Sequence, residues 1–167
     1  SWLSSLPFFG NMSLLLYGGG ALLGLGMFTV LLAVICLAGD FRVTNVFRGV
    51  HLGLTLLYVG GFMIQSLLEE LLCRGYLMGY WLKQNRVVVA VLANTAFFMF
   101  MHIANPGFDL RAAVGLFFFG LFMSLLRLAT GSIWFGAAVH GAWNFAEGII
   151  YGTAVSGLPN VGLILHS

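Results

Sequence analysis

One apolar stretch of the chain carries three ionisable side chains within six residues: Gly60-Gly61-Phe62-Met63-Ile64-Gln65-Ser66-Leu67-Leu68-Glu69-Glu70-Leu71-Leu72-Cys73-Arg74-Gly75-Tyr76-Leu77. The stretch is apolar enough to lie in lipid, where ionisable side chains are costly and mark functional sites. Glu69 and Glu70 are neighbours, and Arg74 follows one helical turn further on. The stretch therefore indicates a membrane helix that also carries the chemistry of the protein.

The composition of the whole chain also indicates a membrane protein. Charged residues make up 7% of the 167 residues, against roughly 25% in an ordinary soluble domain. Hydrophobic residues make up 60%, against roughly 45–50%. The formal net charge of +2 is too small and too scattered to indicate a nucleic-acid surface or an acidic partner. Cys36 and Cys73 lie apart without Cys-x-x-Cys spacing, which indicates neither a disulfide framework nor a thiolate metal site. The partner that the composition implies is the lipid bilayer.

Five segments are long and apolar enough to cross a hydrocarbon core, which needs about 20 residues per helix. They cover about 12–38, 50–82, 87–104, 112–129 and 133–151, and we expect residues 1–11 and 157–167 to form loops or interfacial caps. The second segment would reach about 50 Å, so we expect it to tilt, to protrude, or to break near Gly60-Gly61 or just before Glu69. The predicted fold is all-α: a single membrane-embedded domain, residues 1–167, forming a multi-pass transmembrane helical bundle with a polar intramembrane cavity.

The polar residues of these segments recur at helical spacing. Three pairs share a helix face: Glu70 with Arg74, Asn94 with His102, and His140 with Asn144. Two adjacent carboxylates in a low-dielectric site are costly to keep ionised together, because they repel each other and both lose water. Arg74, at the i, i+4 spacing, compensates Glu70, which we interpret as its supporting partner. Glu69 points about 100° away around the helix and is free for chemistry.

A free carboxylate beside an imidazole is suited to act as a general base for water. Glu69 is the predicted base, and His102 is one candidate for the imidazole. His140 and Asn144 could then donate hydrogen bonds to an oxyanion that develops on a carbonyl group. The residues alone therefore favour hydrolysis of a carbonyl compound inside the membrane.

Three motifs occur in order on successive apolar segments. Glu69-Glu70-Leu71-Leu72-Cys73-Arg74 fits E-E-x-x-x-R, Phe98-Met99-Phe100-Met101-His102 fits F-x-x-x-H, and His140-Gly141-Ala142-Trp143-Asn144 fits H-x-x-x-N. In this order they resemble the CAAX prenyl protease and bacteriocin-processing (CPBP) family, also called the Abi family of intramembrane glutamic proteases. The resemblance covers residues 65–150 approximately, and none of the three motifs departs from the family pattern at its defining positions.

The resemblance implies an intramembrane endopeptidase with a catalytic core at about residues 65–150, in a multi-pass protein of the bacterial cytoplasmic membrane. By resemblance, Glu69 and His102 would activate water, His140 and Asn144 would form the oxyanion site, and Glu70 with Arg74 would support the cavity. The implied substrate is a peptide or a membrane protein, prenylated or not. No cofactor is implied.

Three alternatives remain open at this level. Two histidines and a carboxylate can hold catalytic zinc. The chain has no H-E-x-x-H pair and the ligands would come from three segments, which argues mildly against zinc. We favour a metal-free mechanism largely because the resemblance implies one. A non-proteolytic membrane adaptor or scaffold would keep the same fold and bind another membrane protein. A proton-coupled carrier would also use intramembrane Glu and His residues.

Overall fold

The computed structural model describes residues 11–38, 45–46, 52–150 and 165–166, which are almost entirely helical. The elements in chain order are α1 (Asn11–Ala38), β1 (Asn45–Val46), α2 (Leu52–Glu70), a first π-helical segment (Leu71–Leu77), α3 (Met78–Leu82), α4 (Val87–Met101), α5 (Leu110–Thr130), α6 (Ile133–Phe145), a second π-helical segment (Ala146–Ile150) and β2 (Leu165–His166). The strands β1 and β2 form a two-residue antiparallel pair. The predicted all-α class and helical membrane bundle are confirmed.

In the part of the chain that the structure describes, three helices are long and apolar enough to cross a membrane: Leu14–Ala38, Leu52–Leu82 and Leu110–Thr130. Large hydrophobic side chains are exposed along them, as at Leu22 (73%) and Leu57 (71%), and lipid is the medium in which such a surface is stable. The third predicted segment is shorter than expected, because α4 ends at Met101. The fifth divides into α6 and the second π-helical segment. The connection between the first and second predicted segments and the predicted terminal caps lie largely outside the described residues.

The second predicted segment forms one continuous helical rod, Leu52–Leu82, without a break at Gly60-Gly61 or before Glu69. Of the three alternatives expected for this segment, the break is therefore not realised. A break in lipid would leave backbone groups without hydrogen bonds, whereas a continuous helix satisfies them internally. The winding instead loosens to π-helical turns directly after the Glu pair, at Leu71–Leu77. Such turns keep backbone hydrogen bonds and are frequent at functional sites.

Helix α6 lies at the centre of the bundle. It packs against α1 and α2, while α4 packs against α5. Nine of its 13 residues are buried, and its small side chains, such as Gly136, Ala137 and Gly141, allow neighbouring helices to approach closely. Helix α6 is therefore a short interior helix that need not span the lipid by itself.

The start of α6 is fixed by a tight connection from α5. Gly131 ends α5 in a left-handed conformation (φ 65°), which glycine adopts without a steric penalty. Ser132 is the N-cap of α6, and its hydroxyl accepts a hydrogen bond from the Phe135 backbone N–H at 3.1 Å. This local geometry sets the register at which His140, two turns later, meets α2.

Helix α1 approaches α6 through two glycines. A Cβ atom added at Gly20 would lie 2.6 Å from the Phe135 carbonyl oxygen, and one added at Gly24 would overlap the Val139 carbonyl oxygen. A Cβ added at Gly26, on the same helix, would meet nothing within 4 Å. The close approach of α1 therefore depends on Gly20 and Gly24, since small residues let helices pack closely in a membrane.

Gly24→Ala is expected to lower the melting temperature of the detergent-solubilised protein by about 2–12 °C, because backbone must move to admit the methyl group. The matched control is Gly26→Ala, which adds the same methyl group in open space on the same helix. It is expected to leave the melting temperature unchanged or raise it slightly, since Ala favours helix over Gly. Equal melting temperatures for both variants would contradict the close packing of α1 on α6.

Candidate active site

The predicted ion pair between Glu70 and Arg74 is present and lies in the interior. Arg74 Nη1 donates to Glu70 Oε1 at 2.9 Å, and both residues are 1% exposed. Arg74 belongs to the first π-helical segment, whereas Glu70 ends α2. A buried charge needs both a counter-ion and further hydrogen bonds, so the other contacts of these two side chains determine what the pair does.

Arg74 connects the α2 rod to α4 and α5. Its Nη2 donates to the Gly120 carbonyl oxygen at 3.0 Å, and its Cζ lies 4.6 Å from the centroid of the Phe98 ring. With the Asn94 amide oriented to satisfy both its atoms, the amide oxygen accepts from Arg74 Nε at 3.3 Å and the amide nitrogen donates to the Cys73 carbonyl oxygen at 2.9 Å. The planar guanidinium therefore holds three helical elements at fixed positions.

His140 contacts both carboxylates of the Glu pair. Its Nδ1 lies 3.0 Å from Glu70 Oε1, and its Nε2 lies 3.7 Å from Glu69 Oε2. An ionised Glu70, stabilised by Arg74, can only accept, so Nδ1 carries a proton in that contact. Nε2 can then donate a hydrogen bond only when both ring nitrogens are protonated. The contact with Glu70 therefore orients the His140 ring so that Nε2 faces Glu69.

Glu69 lies in a different environment from Glu70. Its Oε1 accepts a hydrogen bond from Gln65 Nε2 at 3.0 Å, and its side chain is 13% exposed. Its Oε2 is buried and accepts no hydrogen bond from any described residue. An unsatisfied carboxylate oxygen is costly in a low-dielectric interior, so Glu69 is positioned to accept a proton or a hydrogen bond from a bound molecule.

His102 is held by the backbone of its own helix. Its Nδ1 lies 2.8 Å from the Phe98 carbonyl oxygen and its ring centroid lies 4.8 Å from that of Phe98. A carbonyl oxygen only accepts, so Nδ1 must donate, and in the neutral ring Nε2 keeps its lone pair. His102 forms no hydrogen bond or ion pair with Glu69 in the described part of the chain; the imidazole in contact with Glu69 is that of His140.

A cavity of about 400 Å³ lies beside these groups, within the size range of ligand sites. Its lining includes three of the predicted site residues, His102, His140 and Asn144, whereas Glu69 is not part of the lining. Both imidazoles contact the Phe98 ring, with centroids 4.8 Å and 5.7 Å away. One aromatic side chain therefore holds the two histidines on the same wall of the cavity.

Asn144 also contacts a residue of α2 that the sequence analysis did not identify as part of the site. Asn144 Nδ2 donates to Ser66 Oγ at 3.4 Å, and Ser66 is fully buried. Ser66 was not among the candidate residues, although its position four before Glu70 places it on the stripe that continues to Arg74. That spacing was the signal that could have identified it. Among the described residues, no three His, Cys, Asp or Glu side chains are grouped as metal ligands.

The sequence comparison agrees with the three motifs. The profile of the family described as type II CAAX prenyl endopeptidase Rce1-like matches residues 51–146, which include every predicted site residue. Neither the curated proteins nor the solved structures contain a significant match to the chain. The family and the apolar helices agree on a membrane protein of CAAX protease type. The profile covers more than half of the residues of the chain, and the chain therefore belongs to the Rce1-like family of type II CAAX prenyl endopeptidases.

Proposed function

We propose that the protein is an intramembrane endopeptidase in which Glu69, assisted by His102, activates water against a peptide bond without a metal ion. The catalytic core lies at about residues 65–150 of a single multi-pass domain. The observation that carries the proposal is Glu69 Oε2, a buried carboxylate oxygen without a hydrogen bond, 3.7 Å from His140 Nε2. A carboxylate in that state gains free energy by binding water or a proton.

In the proposed first step, water lies between Glu69 Oε2 and His102 Nε2 and loses a proton as its oxygen attacks the carbonyl carbon. Both acceptors are supported by the geometry: Oε2 is unsatisfied, and Nε2 of the neutral ring has a lone pair. The proton then passes to the leaving amine when the carbon–nitrogen bond breaks. The products are a carboxylic acid and an amine, so no cofactor is required.

In the same step, His140 and Asn144 stabilise the negative charge on the carbonyl oxygen. His140 Nε2 is the donor in this step when both ring nitrogens carry a proton, and the Nδ1–H is then accepted by Glu70, which orients the ring. Asn144 lies one turn further along α6 and lines the same cavity. Donors that are already oriented act without reorganisation, and removing one typically costs about 10²–10³-fold in kcat.

The substrate that this site fits is a peptide of a membrane-associated or prenylated protein. Aromatic side chains of the cavity lining, Phe98, Phe108, Phe119 and Trp143, supply an apolar wall next to the polar groups. Such a wall suits an apolar substrate segment that enters from lipid.

The experiment is cleavage of fluorogenic peptides, with and without a prenyl group, by the full chain reconstituted in lipid nanodiscs. His102→Ala is expected to lower kcat by about 10²-fold, because Glu69 remains as an acceptor for the proton. Asp109→Asn is the control: it changes an exposed carboxylate outside the cavity and keeps an N-cap of α5.

A chelator such as EDTA or 1,10-phenanthroline is expected to leave cleavage by the wild-type protein unchanged. If a chelator abolishes cleavage and zinc restores it, the metal-free activation of water is contradicted and a zinc mechanism is supported. Full activity of the His102→Ala protein would show that His102 takes no part in the activation of water. A folded wild-type protein that binds peptides without cleaving them would favour the adaptor.

A further inference from the structure

A further carboxylate lines the same cavity, just beyond the sequence that the family profile matches. Glu147 lies in the cavity wall with His140 and Asn144, whereas the profile ends at residue 146. It follows Asn144 by three residues, in the first turn of the second π-helical segment. The three side chains therefore occupy successive turns that continue from α6, and Glu147 lies at the end beyond the proposed oxyanion donors.

Trp143 fixes the position of this carboxylate. Its side chain forms a hydrogen bond with Glu147, and since the indole N–H can only donate, the carboxylate accepts. The Trp143 ring packs edge-on against Phe28, with centroids 5.1 Å apart, and against Phe119 at 5.3 Å. Because two aromatic rings pack against the indole, its N–H is held where it donates to the carboxylate.

The surroundings of Glu147 have the chemistry of a cation-binding site. Trp143 and Phe119 line the cavity together with Glu147, which is the one acidic side chain among the described residues of its lining. Lysine ammonium and arginine guanidinium groups bind carboxylates by charge-assisted hydrogen bonds and also bind the faces of aromatic rings. Glu147 and its aromatic neighbours therefore offer both interactions to the same cationic group.

We propose that Glu147, with Trp143 and Phe119, forms a subsite that selects peptide substrates with a lysine or arginine near the cleaved bond. The proposal rests on the proposed function, because the subsite is placed beside His140 and Asn144. Glu147 is a specificity residue here and takes no part in the activation of water. Since all these residues line one cavity, the selected side chain lies within a few residues of the cleaved bond in the peptide.

The test compares quenched fluorescent peptides that share one apolar host sequence. Lysine, norleucine or glutamate is placed at one position of this sequence, and that position is moved along the peptide from set to set. Norleucine keeps the length of the lysine stem and removes the charge. At the selected position, the wild-type protein in nanodiscs is expected to show a kcat/KM for the lysine peptide at least about tenfold above that for the norleucine peptide. Glu147→Gln is expected to bring this ratio close to one, and Glu147→Lys to favour the glutamate peptide.

Two further variants separate recognition from misfolding. Glu147→Asp keeps the charge on a shorter stem and is expected to retain part of the lysine preference. Asp109→Asn removes an exposed carboxylate outside the cavity and is expected to keep the wild-type ratio. Binding of dye-labelled lysine and norleucine peptides to the Glu69→Gln protein, followed by fluorescence anisotropy, measures the preference when no cleavage occurs.

The outcomes distinguish this proposal from the proposed function. If peptides are cleaved with the same lysine-to-norleucine ratio by the wild-type and Glu147→Gln proteins, the subsite is refuted and the protease stands. If lysine peptides bind in a Glu147-dependent way but are never cleaved, the protease is refuted and the subsite stands. If no peptide is cleaved and none binds selectively, both proposals are overturned.

Discussion

Replacing Glu69 with Gln is expected to lower kcat for peptide cleavage by about 10³–10⁴-fold, near the upper end of what a general base contributes. An amide is almost the same size as the carboxylate, and its oxygen can still accept the hydrogen bond from Gln65 Nε2. It cannot take a proton from water at neutral pH. The loss is therefore expected in kcat, whereas KM is expected to change little, because the substitution leaves the cavity lining intact.

The measurement is single-turnover cleavage in nanodiscs, together with the melting temperature of each purified variant. Glu69→Gln is expected to melt within about 2 °C of the wild-type protein, because the one counter-ion of Glu69 among the described residues is His140, 3.7 Å away. Asp109→Asn makes the same chemical change at an exposed position and is expected to keep full activity. A Glu69→Gln protein with a kcat within a few-fold of wild type would remove Glu69 from the mechanism.

The parts of the site that sequence could predict are those fixed within one helix. The i, i+4 spacing predicted the Glu70–Arg74 ion pair, and the structure contains it at 2.9 Å. It also placed Glu69 on a different side of the helix, where Gln65, four residues earlier, proves to be its hydrogen-bond donor. These contacts follow from helix geometry alone, whatever the rest of the chain does.

The contacts that cross between helices could not be predicted from spacing. His140 meets Glu70 across 70 residues of sequence, and this contact depends on how the small residues of α6 let it approach α2. Spacing allowed His102 as the imidazole beside Glu69, whereas the structure has His140 in that contact. Glu147 follows Asn144 by three residues, and only the packed helices place it in the cavity wall.

The lengths of the helices show a similar limit. Hydropathy gave five apolar segments, but α6 is only 13 residues long and is apolar because it is enclosed by other helices. Apolar composition does not distinguish a lipid-facing helix from one buried in a bundle. Of the three alternatives for the second segment, the break at Gly60-Gly61 does not occur, because an unbroken helix in lipid satisfies its backbone hydrogen bonds internally.

Arg74→Met is expected to destabilise the protein by about 3–5 kcal/mol, because it leaves the Glu70 carboxylate and the Gly120 carbonyl oxygen buried without their donor. The corresponding fall in melting temperature is about 6–20 °C. Arg111→Met removes an exposed arginine from the first turn of α5 and is expected to change stability by less than about 0.5 kcal/mol. Equal effects of the two substitutions would contradict a structural role for Arg74.

The double variant Glu70→Leu with Arg74→Met separates support of the fold from support of the chemistry. Replacing both members of a buried ion pair with apolar side chains of similar volume is often close to neutral, so most of the lost stability is expected to return. Cleavage is not expected to return, because His140 Nδ1 would lose the acceptor at 3.0 Å that orients the ring. Recovery of stability together with full kcat would mean that the contact between Glu70 and His140 has no part in catalysis. Recovery of stability alone would identify Glu70 as the residue through which the buried ion pair positions His140.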